Sequence, residues 1–270
     1  MKKVVIYGNC QADGIFDLLK QLPQVTERFS LAYHFVRSAP EDVDRQRQEA
    51  QEADVLLAQD IGDWSYYAFR DDYRPDTQIV RFPFLYLASL WPFDSHQNPP
   101  DTKAQAEFGQ HSPWDFPFQD SLLGRLRAEE PDPERRFETY RELTVDGLPN
   151  LVRYHEAETA RLRLMDRKSD YGLGQYVIDN FRQKSLFHTI THPTAHLLMT
   201  VAARILAPVG LELDIDAPVS DRLSVFQPPL HPLVADKLNL EWVTPEQTYS
   251  FYGRPVDFDT YVRKYIEVYG

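Results

Sequence analysis

The chain has 270 residues, the size of one large domain or two smaller ones. With 43% hydrophobic and 26% charged residues it is neither disordered, fibrous nor collagen-like, and its apolar runs fall short of the roughly 18 to 20 residues that cross a bilayer. Forty-one acidic against 29 basic residues give a net charge of −12, which repels nucleic acid and anionic lipid, so an anionic ligand requires a local basic pocket. Lys2 and Lys3 precede an apolar stretch, but residues 8–11 and Asp13 interrupt it before a signal-peptide core develops. The single cysteine agrees with a reducing compartment. The expected location is the cytoplasm.

The β-branched run 3–7 predicts a strand, the turn 8–11 follows, and apolar residues at helical spacing (Ile15, Phe16, Leu18, Leu19, Leu22) predict a helix that Pro23 stops. Further strands are expected at 29–36, 55–58 and 78–82, with a charged helix at 41–53 between them. Alternating strands and helices imply a mostly parallel sheet. Residues 74–133 carry nine of the 20 prolines, including Pro99-Pro100, together with Trp91 and Trp114. Such a span disfavours regular structure but is too aromatic for a linker, and reads as an ordered excursion. Helical patterning returns at 119–127, 133–143, 150–167 and 171–183. A strand at 186–191 and a helix at 193–206 resume the α/β pattern, and the mixed tail ends in a helix at 258–268. The expected organisation is an α/β layer formed by 1–110 and 186–270, with a helical insertion at 111–185.

In an open α/β sheet, ligands gather beyond the carboxyl ends of the strands. Cys10 follows the first strand there, beside a helix N-terminus that favours a thiolate and a developing oxyanion. Two readings fit it: a nucleophile, or a buried and inert thiol. Asn9 and Gln11 serve as oxyanion donors or as turn and cap residues. The sequence from Gly8 to Gly14 lacks the G-x-G-x-x-G spacing of a dinucleotide turn.

His192 precedes Pro193, which suits the first helical position and pushes His192 into extended geometry, so it should end a strand as a second rim residue. It could exchange a proton with Cys10 or cap its own helix. His188, His192 and His196 are spaced by four, but Pro193 splits them between strand and helix, so no metal site is expected. Gln59 and Asp60 are expected at the end of the third strand and Arg81 at the end of the fourth. Two readings fit each: Gln59 serving an oxyanion, Asp60 orienting a histidine and Arg81 holding a phosphate, or solvated loop residues and salt-bridge partners. Arg161, Arg163, Arg167 and Lys168 form the basic cluster to which an anionic cofactor would be drawn, or a solvated helix face.

The run Val5 to Gln11, then Arg81-Phe82-Pro83 with Trp91-Pro92, then Leu186-Phe187 with His192-Pro193-Thr194, resembles the WcbI-like capsular polysaccharide biosynthesis proteins, regarded as coenzyme A-binding acetyltransferases. The likeness runs from the first strand to about residue 210. It implies a Rossmann-like layer joined to a helical region, and a cytoplasmic enzyme that moves an acyl group from coenzyme A to a sugar hydroxyl in surface polysaccharide assembly. The first turn also resembles SGNH-type esterases and acyltransferases, with Cys10 in the place of serine. This sequence departs from that pattern in lacking a G-x-N-D block and in carrying Thr189-Ile190-Thr191-His192 where D-x-x-H is usual.

The resulting reading is an α/β, Rossmann-like (SGNH-like) enzyme using acetyl-coenzyme A as donor and a carbohydrate as acceptor, without a metal or nucleic-acid partner. Cys10 and His192 stand at its centre; Gly8, Asn9, Gln11, Gln59 and Asp60 position the reacting groups; Arg81 and the 161–168 cluster bind the donor. A cysteine-based or SGNH-like esterase and a non-enzymatic nucleotide- or glycan-binding module are the alternatives. An inert Cys10 would favour the last.

Overall fold

The computed structural model describes residues 1–37, 39–62, 67, 69–95, 114, 116–143, 150–169 and 171–269. Pro99-Pro100 and the middle of the expected excursion lie outside them. The described residues form two compact units, one made of 1–86, 159–181 and 185–224, the other of 87–158, 182–184 and 225–270.

The first unit is built on a four-stranded parallel sheet of β1 (Lys2–Gly8), β2 (Phe29–Phe35), β3 (Val55–Asp60) and β4 (Gln78–Pro83), in the order β2-β1-β3-β4. Val4, Val5 and Ile6 of β1 and Leu56 and Leu57 of β3 are fully buried, as expected for central strands covered on both faces. Chain order and spatial order diverge at β1 and β3, and in such sheets the crevice beyond that divergence receives ligands. Helix α1 (Cys10–Lys20) buries Gln11, Ala12, Ile15, Leu18 and Leu19 on one side. Pro23 opens a further short helix, α2 (Pro23–Thr26), after α1 has ended. Helix α3 (Val43–Glu52) returns the chain to β3.

Gly8 and Gly14 permit close approaches near the first strand. A Cβ on Gly8 would lie 2.5 Å from Gln59 Oε1, and one on Gly14 would lie 2.8 Å from Leu198 Cδ1. The latter lets α1 pack on α8 (Ala195–Leu206), whose Leu197, Met199, Ala202 and Ile205 are fully buried.

The expected strand at 186–191 does not join this sheet. Residues 187–189 (β5) and 192–193 (β6) form an antiparallel two-stranded ribbon of their own. Only Ile190 and Thr191 separate the strands, so the chain turns back on itself before it can cross to the parallel layer. Pro193 is correspondingly part of β6 rather than the first helical residue, and Thr194 caps α8 through the Leu197 amide.

The second unit holds α4 (Ser121–Glu129), α5 (Pro133–Arg141), α9 (Pro232–Leu238), the hairpin β7 (Tyr249–Phe251) and β8 (Arg254–Val256), and α10 (Phe258–Tyr269). Helix α6 (Leu151–Asp166) contains the boundary between the units, and α7 (Leu173–Asn180) belongs to the first. The helices cluster differently from the expected 111–185 insertion, because α5 packs on the C-terminal helix α10, where Arg263 pairs with Glu134. The core is aromatic: Phe116 and Phe251 are fully buried, and Phe116 meets Tyr261 and Tyr265 edge-on. No helix among the described residues is long and apolar enough to cross a membrane.

Candidate functional site

The site grows from the turn between β1 and α1. Asn9 caps α1: its Oδ1 accepts from the Gln11 amide at 3.0 Å and lies 4.0 Å from Cys10 Sγ. Its own backbone N–H donates to Gln59 Oε1 at 3.0 Å. Gln11 is buried and fully engaged. Its Nε2 donates to the Leu85 carbonyl at 2.6 Å and the Thr191 carbonyl at 2.8 Å, while its Oε1 accepts from Leu85 N and Gln59 Nε2. One side chain therefore ties the Cys10 turn to the ends of β3 and β4 and to the residue before His192.

This network corrects two expected roles. With both Gln11 amide protons on carbonyls, and with buried Gln59 bonding through both its side-chain oxygen and nitrogen, these glutamines hold the rim together rather than face a reacting carbonyl. The amide missed in the sequence reading is the Cys10 backbone N–H, which lies beside its own thiol and lowers its pKa, as does the Gln11 N–H.

The thiolate expectation is also corrected. Burial of half-exposed Cys10 is the largest influence and raises its pKa; the two amides and Arg222 oppose this, and Asp13 reinforces it. The resting group is a thiol. His192 is partly buried, and burial followed by the charge of His188 pushes its pKa down, with Asp221 opposing. Its resting state is neutral imidazole, a form able to accept a proton.

Asp60 ends β3 at the same rim and is exposed, but the carboxylate that meets a histidine of the β5–β6 ribbon is Asp221. Its Oδ2 lies 2.7 Å from His188 Nε2 and accepts from the Ala195 amide at 2.6 Å, while Oδ1 accepts from Leu223 N at 3.0 Å. These contacts hold the Asp221 pKa below its usual value against burial, with His188 the strongest lowering influence. No spacing in the sequence signals the pair, because 33 residues separate the partners. Arg222, also missed, joins Asp13 and Asp17 of α1, the latter at 2.6 Å.

The expected donor-binding residues are dispersed. Arg81 is exposed opposite Ala58, two positions before the strand end, where Pro83 faces Asp60. Arg161 is half-buried, donating from Nη2 to the Tyr86 carbonyl at 2.6 Å with its guanidinium 3.5 Å from the Tyr86 ring centroid. It braces the segment after β4. Arg163, Arg167 and Lys168 are exposed on the last turns of α6 and just beyond it. His196 bonds to the Tyr176 hydroxyl at 2.7 Å, and its Nδ1 lies 3.7 Å from Asp216. No group of three or more His, Cys, Asp or Glu residues suited to a metal occurs among the described residues.

A four-stranded parallel sheet flanked by helices, with the Cys10 turn at the carboxyl end of its first strand, makes this an α/β protein. The family model for the polysaccharide biosynthesis enzyme WcbI matches residues 3–214, and the chain belongs to that family, so its role lies in polysaccharide biosynthesis. A solved WcbI structure aligns with a TM-score of 0.73 at 20% identity, over 99% of this chain and 89% of that one. That protein is described as a novel polysaccharide biosynthesis enzyme, in native form without a disulfide between coenzyme A and one of its cysteines. A search of curated proteins returned no match.

Proposed function

We propose that the chain is a coenzyme A-dependent O-acyltransferase that carries an acetyl group to a sugar hydroxyl, with Cys10 and His192 as the reacting pair. The observation that carries this reading is the Gln11 bridge: its Nε2 bonds the Thr191 carbonyl, so the residue after Cys10 is fastened to the residue before His192. Coenzyme A, named in the description of the structural neighbour, supports a coenzyme A ligand here.

A protonated thiol and a neutral imidazole, fastened to one another through the Gln11–Thr191 bond, suit general-base catalysis. On a covalent route, Cys10 Sγ attacks the acyl carbon as His192 accepts the thiol proton; the donor C–S bond breaks and the departing thiolate takes that proton. The sugar hydroxyl then attacks the Cys10 thioester, and its proton passes through His192 back to Sγ. On a direct route, His192 takes the hydroxyl proton as the sugar oxygen attacks the acyl carbon; the donor C–S bond breaks and the departing thiolate takes that proton from His192. The Cys10 N–H and the Asn9 side-chain amide are the donors suited to the oxyanion in either case. The His188–Asp221 pair positions the ribbon that carries His192. The donor is anionic, and Arg81, Arg163, Arg167 and Lys168, exposed cations of this unit, are the residues proposed to hold it.

The test is release of coenzyme A from acetyl-coenzyme A, with and without sugar acceptors. Acceptor-dependent release should fall at least about a hundredfold in His192→Ala, the scale of a lost general base. Loss in Cys10→Ser marks the covalent route, and retention marks the direct one. Unchanged turnover in His192→Ala would contradict the proposal.

A further inference from the structure

An aromatic shelf adjoins the Cys10 turn on the β2 side. The Tyr33 hydroxyl lies 3.2 Å from the carbonyls of both Gly8 and Asn9, and its proton bonds the turn that presents Cys10. Its ring stacks on Phe16 of α1, with centroids 6.0 Å apart and planes 27° from parallel, and leans against Phe35 at 6.5 Å. Phe35 is 43% exposed at the end of β2, level in register with Gly8.

A polar edge runs along the shelf. Asp13, Phe16, Asp17 and Lys20 recur at spacings that place them on one face of α1. Asp13 and Asp17 share Arg222, which remains 53% exposed, and Lys20 Nζ lies 4.9 Å from the Phe16 ring centroid. The charges of Asp13 and Arg222 act on both Cys10 and Tyr33, so edge, shelf and thiol share one locality.

We propose that this shelf is the acceptor subsite, taking an uncharged pyranose whose C–H face packs on Tyr33, Phe35 and Phe16 while its hydroxyls bond the Asp13–Arg222–Asp17 edge; the assignment rests on the acyl-transfer reading above. Ring faces carry partial negative charge that attracts the polarised C–H bonds of a sugar. Two carboxylates and two cations balance along the edge, leaving no excess positive charge to draw a nucleotide phosphate. Carboxylates beside a guanidinium instead offer acceptors and donors in one plane, which a polyhydroxylated ring can use at both ends. A sugar seated here lies against the turn that holds the Cys10 thiol.

The test is saturation-transfer NMR with methyl gluco-, manno- and galactopyranosides, paired with calorimetric titration of coenzyme A, on wild type, Phe35→Ala and Phe35→Trp. The proposal expects transfer to sugar C–H protons in the wild type, weakening by about three- to tenfold in Phe35→Ala and strengthening in Phe35→Trp. Wild type without sugar transfer, or variants with unchanged transfer, would overturn the subsite. A fall in coenzyme A affinity with sugar signals unchanged would assign the shelf to the donor's adenine instead and equally overturn it. Sugar binding without coenzyme A binding would sustain the shelf while removing the acyl-transfer reading.

Discussion

Cys10 combines two opposed influences. The helix start and its amides favour a thiolate, and burial disfavours it more strongly. Iodoacetamide labelling of the native protein should therefore be slow at neutral pH and accelerate only as pH rises past the ordinary thiol range; fast labelling at neutral pH would show that the helix end dominates. Gln11 illustrates a different economy, since one buried amide satisfies two carbonyls, a backbone N–H and a second glutamine. Gln11→Ala leaves those groups unsatisfied and should cost about 2–4 kcal/mol, read as a lower denaturation midpoint, with the proposed acyl transfer falling alongside as the His192 ribbon loosens. Cys10, Asn9 and His192 stood out in the sequence because polar residues interrupt apolar runs at strand ends. Asp221 and Arg222 did not, because their partners are distant in the chain and their surroundings lack periodicity.

At the scale of elements, long periodic segments were legible and short ones were not. The expected helix at 258–268 and the observed α10 differ by one residue at the end, since an amphipathic stripe of several turns announces itself. The β7–β8 hairpin has strands of three residues, too brief for alternation to register, and turns through Tyr252 and Gly253, both at positive φ. The start of α4 carries a partly buried carboxylate. Asp120 caps it through the Leu123 amide at 2.8 Å and accepts from the Tyr140 hydroxyl at 2.6 Å, yet burial still pushes its pKa up to about 6. An acid raised above its unfolded value of about 3.8 binds its proton more tightly when folded. Its contribution to stability therefore grows as pH falls from about 6 towards 3.8, by at most about 3 kcal/mol. Against Asp120→Asn, which has no such proton, the wild type should gain in relative denaturation midpoint on acidification. A difference independent of pH would refute the assignment.

For the whole molecule, the α/β class followed from the alternation of strands and helices, and the strand order β2-β1-β3-β4 puts the Cys10 turn where such a sheet receives ligands. The grouping of helices was less legible. The two units interleave along the chain, with segments before, within and after each other, and no local change of composition marks contacts formed between residues more than a hundred positions apart. A family role in polysaccharide biosynthesis meets here a rim where the Cys10 turn and the His192 ribbon are tethered through Gln11. On the proposed function, this rim works on an acyl-coenzyme A. Calorimetric titration of the purified chain with coenzyme A and acetyl-coenzyme A, at low and moderate salt, tests that most directly. Saturable binding of both, at micromolar strength and weakening with salt as expected for an anionic ligand, is the predicted result. Binding of neither would contradict it.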